Sequence, residues 1–147
     1  MQSLSAQDIC TRLNLQPLAG EGGMWAPINR NENGNSIYFL MERPDFSAWH
    51  VLAEAETWVH VAGAPVALHT IDKNLEIHTL SRESENVNLS FTVQPGVWMA
   101  AESLGTWSLV TCFVTPAFTQ MKLADRAQVD LWVDKYGPDV ARLIHGK

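Results

Sequence analysis

Charge is scarce in this chain. Only 18% of its 147 residues are charged, and 10 basic against 16 acidic side chains leave a formal net charge of −6. Globular proteins average about 25% charged residues, and disorder needs low hydrophobicity with high charge. With 46% apolar residues the chain is expected to fold. Its few Lys and Arg are scattered, which argues against a nucleic-acid partner, because phosphate neutralisation needs clustered cations. Cysteine is limited to Cys10 and Cys112, and no CxxC occurs. Neither a disulfide framework nor a thiolate zinc site follows, and a reduced, cytoplasmic protein with two buried thiols is expected. No apolar run approaches the roughly 20 residues of a membrane span. Residues 1–7 lack the basic and apolar regions of a signal peptide. Repeats, low-complexity tracts and linkers are missing too, so one domain over residues 1–147 is expected. At this length a chain buries roughly 70% of its unfolded surface and needs no cross-links to hold a core. What the chain has in excess is tryptophan, with six.

Ser5-Ala6-Gln7-Asp8 has the spacing of a capping box, and Ile9 and Leu13 share a helical face behind it. This predicts a helix of about two turns ending near Asn14. Turn residues dominate 17–23, and Asn33-Gly34 signals a tight turn between extended segments. From Ser36 to Pro116 the pattern becomes β. Short apolar runs at 37–41, 48–52, 57–61, 66–71, 75–80, 88–93, 97–101 and 108–114 are separated by Pro, Gly, Asn and Asp turns. Such spacing predicts an antiparallel sandwich or barrel with its core at about 36–116. No segment of crossover-helix length separates the runs, which excludes a parallel α/β sheet. Near the end, Asp125 is placed to cap a helix with Val129, Trp132, Val133 and Tyr136 on one stripe. Gly137-Pro138 stops it, and 139–144 is expected to add one short turn.

The stretch with chemical content runs from Trp49 to Gly63. His50, Leu52, Glu56, Trp58 and His60 share one parity, so two strands in phase would place two imidazoles, a carboxylate and an indole on one face. Turned inward, ionisable groups are costly unless paired or wet, which points to a cavity with His50 near Glu56. The alternative is an edge hairpin whose polar face meets water.

The spacing His50-x-Leu52-x3-Glu56-x6-Gly63 resembles the first cupin motif, G-x5-H-x-H-x3-4-E-x6-G. Pro95-Gly96-Val97-Trp98-Met99 sits where the second motif, P-x-G-x2-H, would lie. The chain more closely resembles a small uncharacterised group, cupin family five. The shared residues are Glu21-Gly22-Gly23, Ile37-Tyr38-Phe39-Leu40, Ser47-Ala48-Trp49-His50, Glu56-Thr57-Trp58, Ala62-Gly63-Ala64-Pro65 and Gly96-Val97-Trp98-Met99-Ala100-Ala101. With 108–112 and 116–118, the resemblance covers about residues 13 to 123. It implies an all-β double-stranded β-helix, the cupin jelly roll, with short N-terminal and C-terminal helices, usually a homodimer, and a pocket in the barrel mouth. Sugar-nucleotide epimerases share that architecture, but fold does not decide function.

Departures from the pattern bear on chemistry. Leu52 stands at the second His position and cannot ligate, and Met99 stands at the second-motif His. His50 and Glu56 alone are too few for a catalytic metal, which usually has three protein ligands. His60 could join them only if it pointed into the same space. No metal or cofactor is therefore expected. The family's Arg and Glu after E-G-G are Ala26 and Pro27 here, and its D-E pair is Ala55-Glu56. Its Gly- and Asp-rich loop is replaced by Ser81-Arg82-Glu83-Ser84-Glu85, of which 82–85 is expected as a solvated loop.

These observations nominate His50 as acid or base and Glu56 as its orienting partner. Trp58 and Trp98 are expected to stack on a ligand, with His60, the Tyr38 hydroxyl and Met99 beside them. His69 is expected at the surface or on a strand face, His78 and His145 in solvent, and Trp132 in the core of the terminal helix or of an interface. Three functions remain open. The first is a metal-free cupin binding an unidentified small molecule, a sugar or metabolite. The second is an isomerase or epimerase using the His–Glu pair. The third is a degenerate cupin acting through its dimer surface. No nucleic-acid or membrane partner is expected.

Overall fold

The computed structural model describes residues 4–83, 85 and 87–146. Its first element is α1 (Ala6–Leu13). The capping box closes as its sequence demands: the Asp8 N–H donates to Ser5 Oγ and the Ser5 N–H to Asp8 Oδ2, both at 3.1 Å. Asn14 ends the helix in the left-handed region, at φ 54°.

Eleven strands follow: β1 (Gln16–Pro17), β2 (Met24–Asn31), β3 (Gly34–Glu42), β4 (Ser47–Leu52), β5 (Ala55–Gly63), β6 (Val66–Ile71), β7 (Leu75–Leu80), β8 (Ser90–Val93), β9 (Trp98–Ser103), β10 (Trp107–Thr115) and β11 (Met121–Leu123). They form two antiparallel sheets, one ordered β1-β2-β3-β10-β5-β8 and the other β11-β4-β9-β6-β7. Late strands lie between early ones: β10 separates β3 from β5, and β9 separates β4 from β6. That interleaving is a double-stranded β-helix. The chain closes with α2 (Arg126–Tyr136) and a 3-10 helix (Pro138–Leu143). Asp125 caps α2 by accepting the Gln128 N–H at 2.8 Å.

The sheet begins earlier than the expected Ser36. β2 hides from a sequence reading because it contains Pro27, which lacks an N–H for the ladder. The register shifts between Pro27 and Asn29, and this irregularity admits the proline. The tight turn also moves by one residue. Asn31 pairs with Gly34, so Glu32 and Asn33 form the turn and Gly34 opens β3. β1 and β11 are too short to show periodicity. Of the 82–85 loop, Arg82, Glu83 and Glu85 are exposed, and Ser84 lies outside the described residues.

Alternation sorts each strand between layers. In β3, Phe39 and Met41 enter the core between the sheets, while Tyr38 and Leu40 face outward under α1. In β9, Met99 and Ala101 point inward, while Trp98 and Ala100 face α2. Trp49 does the same from β4. Its ring lies 5.2 Å from that of Trp132, and its indole N–H donates to the Val140 carbonyl at 2.9 Å. The outer face of each sheet therefore carries a helix, and the inner faces enclose the residues that matter next.

Candidate functional site

A cavity of about 230 Å³ opens between β2, β3, β4 and the segment before β11. Leu18, Trp25, Leu52, Val114, Phe118 and Met121 make its walls apolar. Asn29 and Arg30 stand exposed at its mouth. The Arg30 guanidinium donates to the Phe118 carbonyl at 2.8 Å, and the Phe118 N–H donates to Asn35 Oδ1 at 2.7 Å. These two bonds tie the segment after β10 across the opening.

The inner end is polar. His50 enters from β4 and Glu56 from the start of β5, in the shared phase that alternation required. A third group, Glu21, arrives from the turn before β2. That turn reverses through Gly22 and Gly23, at φ 97° and 78°, values that glycine adopts without strain. It is laced onto β4: the Ala48 N–H donates to the Glu21 carbonyl at 2.8 Å and the Ser47 hydroxyl to Glu21 Oε2 at 2.6 Å.

His50 is 2% exposed, and its Nδ1 lies 2.7 Å from the Ala48 carbonyl. A carbonyl only accepts, so Nδ1 carries the proton and Nε2 faces the cavity end. Nε2 is 3.8 Å from Glu21 Oε1 and 4.0 Å from Glu56 Oε1. Neither distance is a hydrogen bond. Burial pushes the Glu56 carboxyl up to about 7, and Glu21 adds to the rise, while His50 opposes it. The indole N–H of Trp58 also favours the carboxylate, yet Trp58 Nε1 and Glu56 Oε1 are both buried without a hydrogen-bond partner among the described residues. Burial first, then the two carboxyls, raises the Cys112 thiol far above its ordinary value, so this cysteine is no nucleophile.

The structure thus brings His50 and Glu56 together, and it scatters the five side chains expected to bind a ligand. Trp58 is core, 1% exposed, with its ring edge-on to Phe39 at 5.9 Å. Met99 packs in the same core. Trp98 and Tyr38 fall on outward parity, under α2 and α1. His60 sits four residues beyond Glu56, toward the far end of β5, where its Nε2–H donates to the Ala64 carbonyl at 3.0 Å and its Nδ1 accepts the Arg82 N–H at 2.9 Å. Both nitrogens are used, and this imidazole is a structural bracket. His69 lies on β6, buried, and bonds Glu102 at 3.1 Å. His78 and His145 are half-buried, stacked on Phe91 and Phe46.

Sequence reasoning missed Glu21 and Trp25. The signal for Glu21 was visible: an acid followed by two glycines marks a turn that holds a carboxylate close to another backbone.

A resident metal does not fit these residues. Leu52 and Met99 offer no ligand at the expected positions, and His60 is committed elsewhere. Ligand atoms on a metal with bonds of about 2.1 Å lie roughly 3.0–3.4 Å apart, less than the separations around His50 Nε2. Among the described residues no group of three or more His, Cys, Asp or Glu side chains is arranged to hold a metal ion.

Comparison with known proteins supports the architecture. Residues 7–124 match the family described as "Cupin superfamily (DUF985)". A hypothetical protein from Leishmania major superposes with a TM-score of 0.86 at 22% identity, covering 97% of this chain and 100% of its own. A protein from Shewanella oneidensis gives 0.89 at 24%, covering 99% and 100%. A cupin 2 domain-containing protein from Halorhodospira halophila gives 0.67 at 14%, covering 86% of each chain. At these identities the likeness carries the fold alone. Among curated proteins nothing matches the chain.

Proposed function

We propose, since this chain belongs to the cupin superfamily (DUF985), that it binds a small molecule in the mouth of its β-helix. One observation carries the reading: an apolar cavity ends on three buried ionisable groups that do not satisfy one another. Buried polar atoms are almost always partnered, and an orphan such as Glu56 Oε1 calls for an explanation. A ligand donor supplies one. The volume, about 230 Å³, restricts the occupant to a small molecule. A nucleotide sugar is too large to enter whole. Thermal-shift and calorimetric titration with small cationic, neutral and anionic compounds test the reading. At least one class should raise the Tm with concentration, and Val114→Trp, which fills the cavity, should abolish the rise. No rise with any class would refute it.

A second reading is proton transfer at a carbon acid, of isomerase type. What favours it is the Glu56 carboxyl poised near 7 beside His50, because a base works best near the ambient pH. Turnover that loses at least about a hundredfold in both Glu56→Gln and His50→Asn would support it.

A further inference from the structure

The inner end of the cavity presents acceptors. His50 spends its Nδ1–H on the Ala48 carbonyl, which leaves Nε2 facing the cavity end, an acceptor in the neutral ring. Glu21 Oε1 and Glu56 Oε1 stand 3.8 and 4.0 Å from that atom. All three residues line the cavity, and no hydrogen bond joins His50 Nε2 to either carboxyl. Glu21 is held in place by Ser47 through its other oxygen, at 2.6 Å. Glu56 is 6% exposed, and its Oε1 has no hydrogen-bond partner among the described residues.

A primary ammonium has three N–H donors and no acceptor. Acceptors bonded to it at about 2.7–2.8 Å, along directions roughly 90–110° apart, lie roughly 3.8–4.6 Å from one another. The separations around His50 Nε2 fall in that range. The charge balance agrees. Carboxyls at the inner end of the cavity disfavour an anion at close range and attract a cation, the more so in a low dielectric. The one cation lining the cavity among the described residues, Arg30, is exposed at the mouth and bonded to Phe118. Trp25, Leu52 and Met121 leave apolar walls for the rest of the ligand. The net charge of −6 also favours encounter with cations.

From this geometry we infer that the cavity takes a primary amine on a short apolar body, its ammonium shared by the carboxyls of Glu21 and Glu56 and by Nε2 of His50. The inference rests on the small-molecule reading above and adds the ligand's chemical class.

Three probes of nearly equal shape test it on the full chain: phenethylamine, phenethyl alcohol and phenylacetate. Titration calorimetry reads affinity, and methyl resonances of Leu18 and Met121 report whether the cavity is entered. The amine should bind at least about tenfold tighter than the alcohol, and phenylacetate should leave the methyls unmoved. Glu21→Gln should narrow the amine-to-alcohol preference about tenfold. If that variant fails to fold, Glu56→Gln carries the same comparison. Alcohol binding equal to the amine, or entry of phenylacetate, overturns the cationic class while the cavity remains a binding site. If no probe moves the methyls, the class and the site fall together.

Discussion

Glu56 lies 4.0 Å from the Nε2 of His50, beyond hydrogen-bond reach, and its Oε1 is buried without a hydrogen-bond partner among the described residues. The pair is close enough to interact by charge and too far apart to share a proton directly. Burial therefore governs Glu56, and the protonated form is favoured.

This makes stability depend on pH with a definite sign. The folded carboxyl sits at about 7 against an ordinary 4.5. Between those values the unfolded chain has released the proton that the folded chain keeps, so stability falls as pH rises. The penalty is absent below about 4.5 and complete above about 7. Glu56→Gln keeps the shape without the charge. Relative to the parent it should gain roughly 3 kcal/mol between about pH 4 and pH 8. Urea denaturation across that range checks it, and a slope that survives the substitution would assign the pH dependence to another group.

The turn that carries Glu21 depends on Gly23. A side chain there would adopt φ 78° and run into the Phe39 ring. The left-handed backbone costs about 1–2 kcal/mol and the overpacking about 1–3 kcal/mol. Gly23→Ala should therefore lose about 2–5 kcal/mol. Gly96 is the control, with φ 80° and nothing within 4 Å of the place a Cβ would take. Gly96→Ala should lose only the backbone share. Equal shifts in denaturation midpoint would show that Phe39 yields.

The C-terminal 3-10 helix is fastened by charge. Arg142 donates to both Glu102 oxygens, at 3.1 and 2.8 Å, and to Asp139 at 2.7 Å. Hydrogen bonds from His69 and then Arg142 hold Glu102 at about 2. A lowered acid stabilises the fold above its unfolded value, and the gain is lost as pH falls from about 4.5 toward 2. Arg142 is half exposed, so solvent screening limits the contribution to about 1 kcal/mol. Arg142→Ala should lose that much at neutral pH and little near pH 2. Amide exchange across 138–143 should quicken in the variant at neutral pH, and unchanged exchange would mean that Val140 and Leu143 hold the helix by packing alone.

Local rules made much of this molecule legible in one dimension. The Ser5 and Asp125 caps, most β runs and the helix stop at Gly137-Pro138 depend on neighbours a few residues away. The inward phase of His50, Glu56 and Trp58 follows from a period of two. Parity, however, says which face a side chain takes and not how deep along that face it lies. Trp58 and His60 share the phase of Glu56, yet one fills the core and the other braces the far end of β5. For Tyr38 and Trp98 the phase itself could not be assigned, because both faces of their strands are covered and apolar.

The amino-acid sequence by itself determined the elements, the alternation and the pairing of an imidazole with a carboxylate. Only the tertiary structure decided what surrounds that pair. Glu21 reaches His50 across 29 positions of chain through a glycine turn bonded to β4, and the cavity walls come from Leu18, Trp25, Val114, Phe118 and Met121. Such contacts arise from interleaved strands, whose partners are chosen by burial across the whole barrel and leave no local period to read.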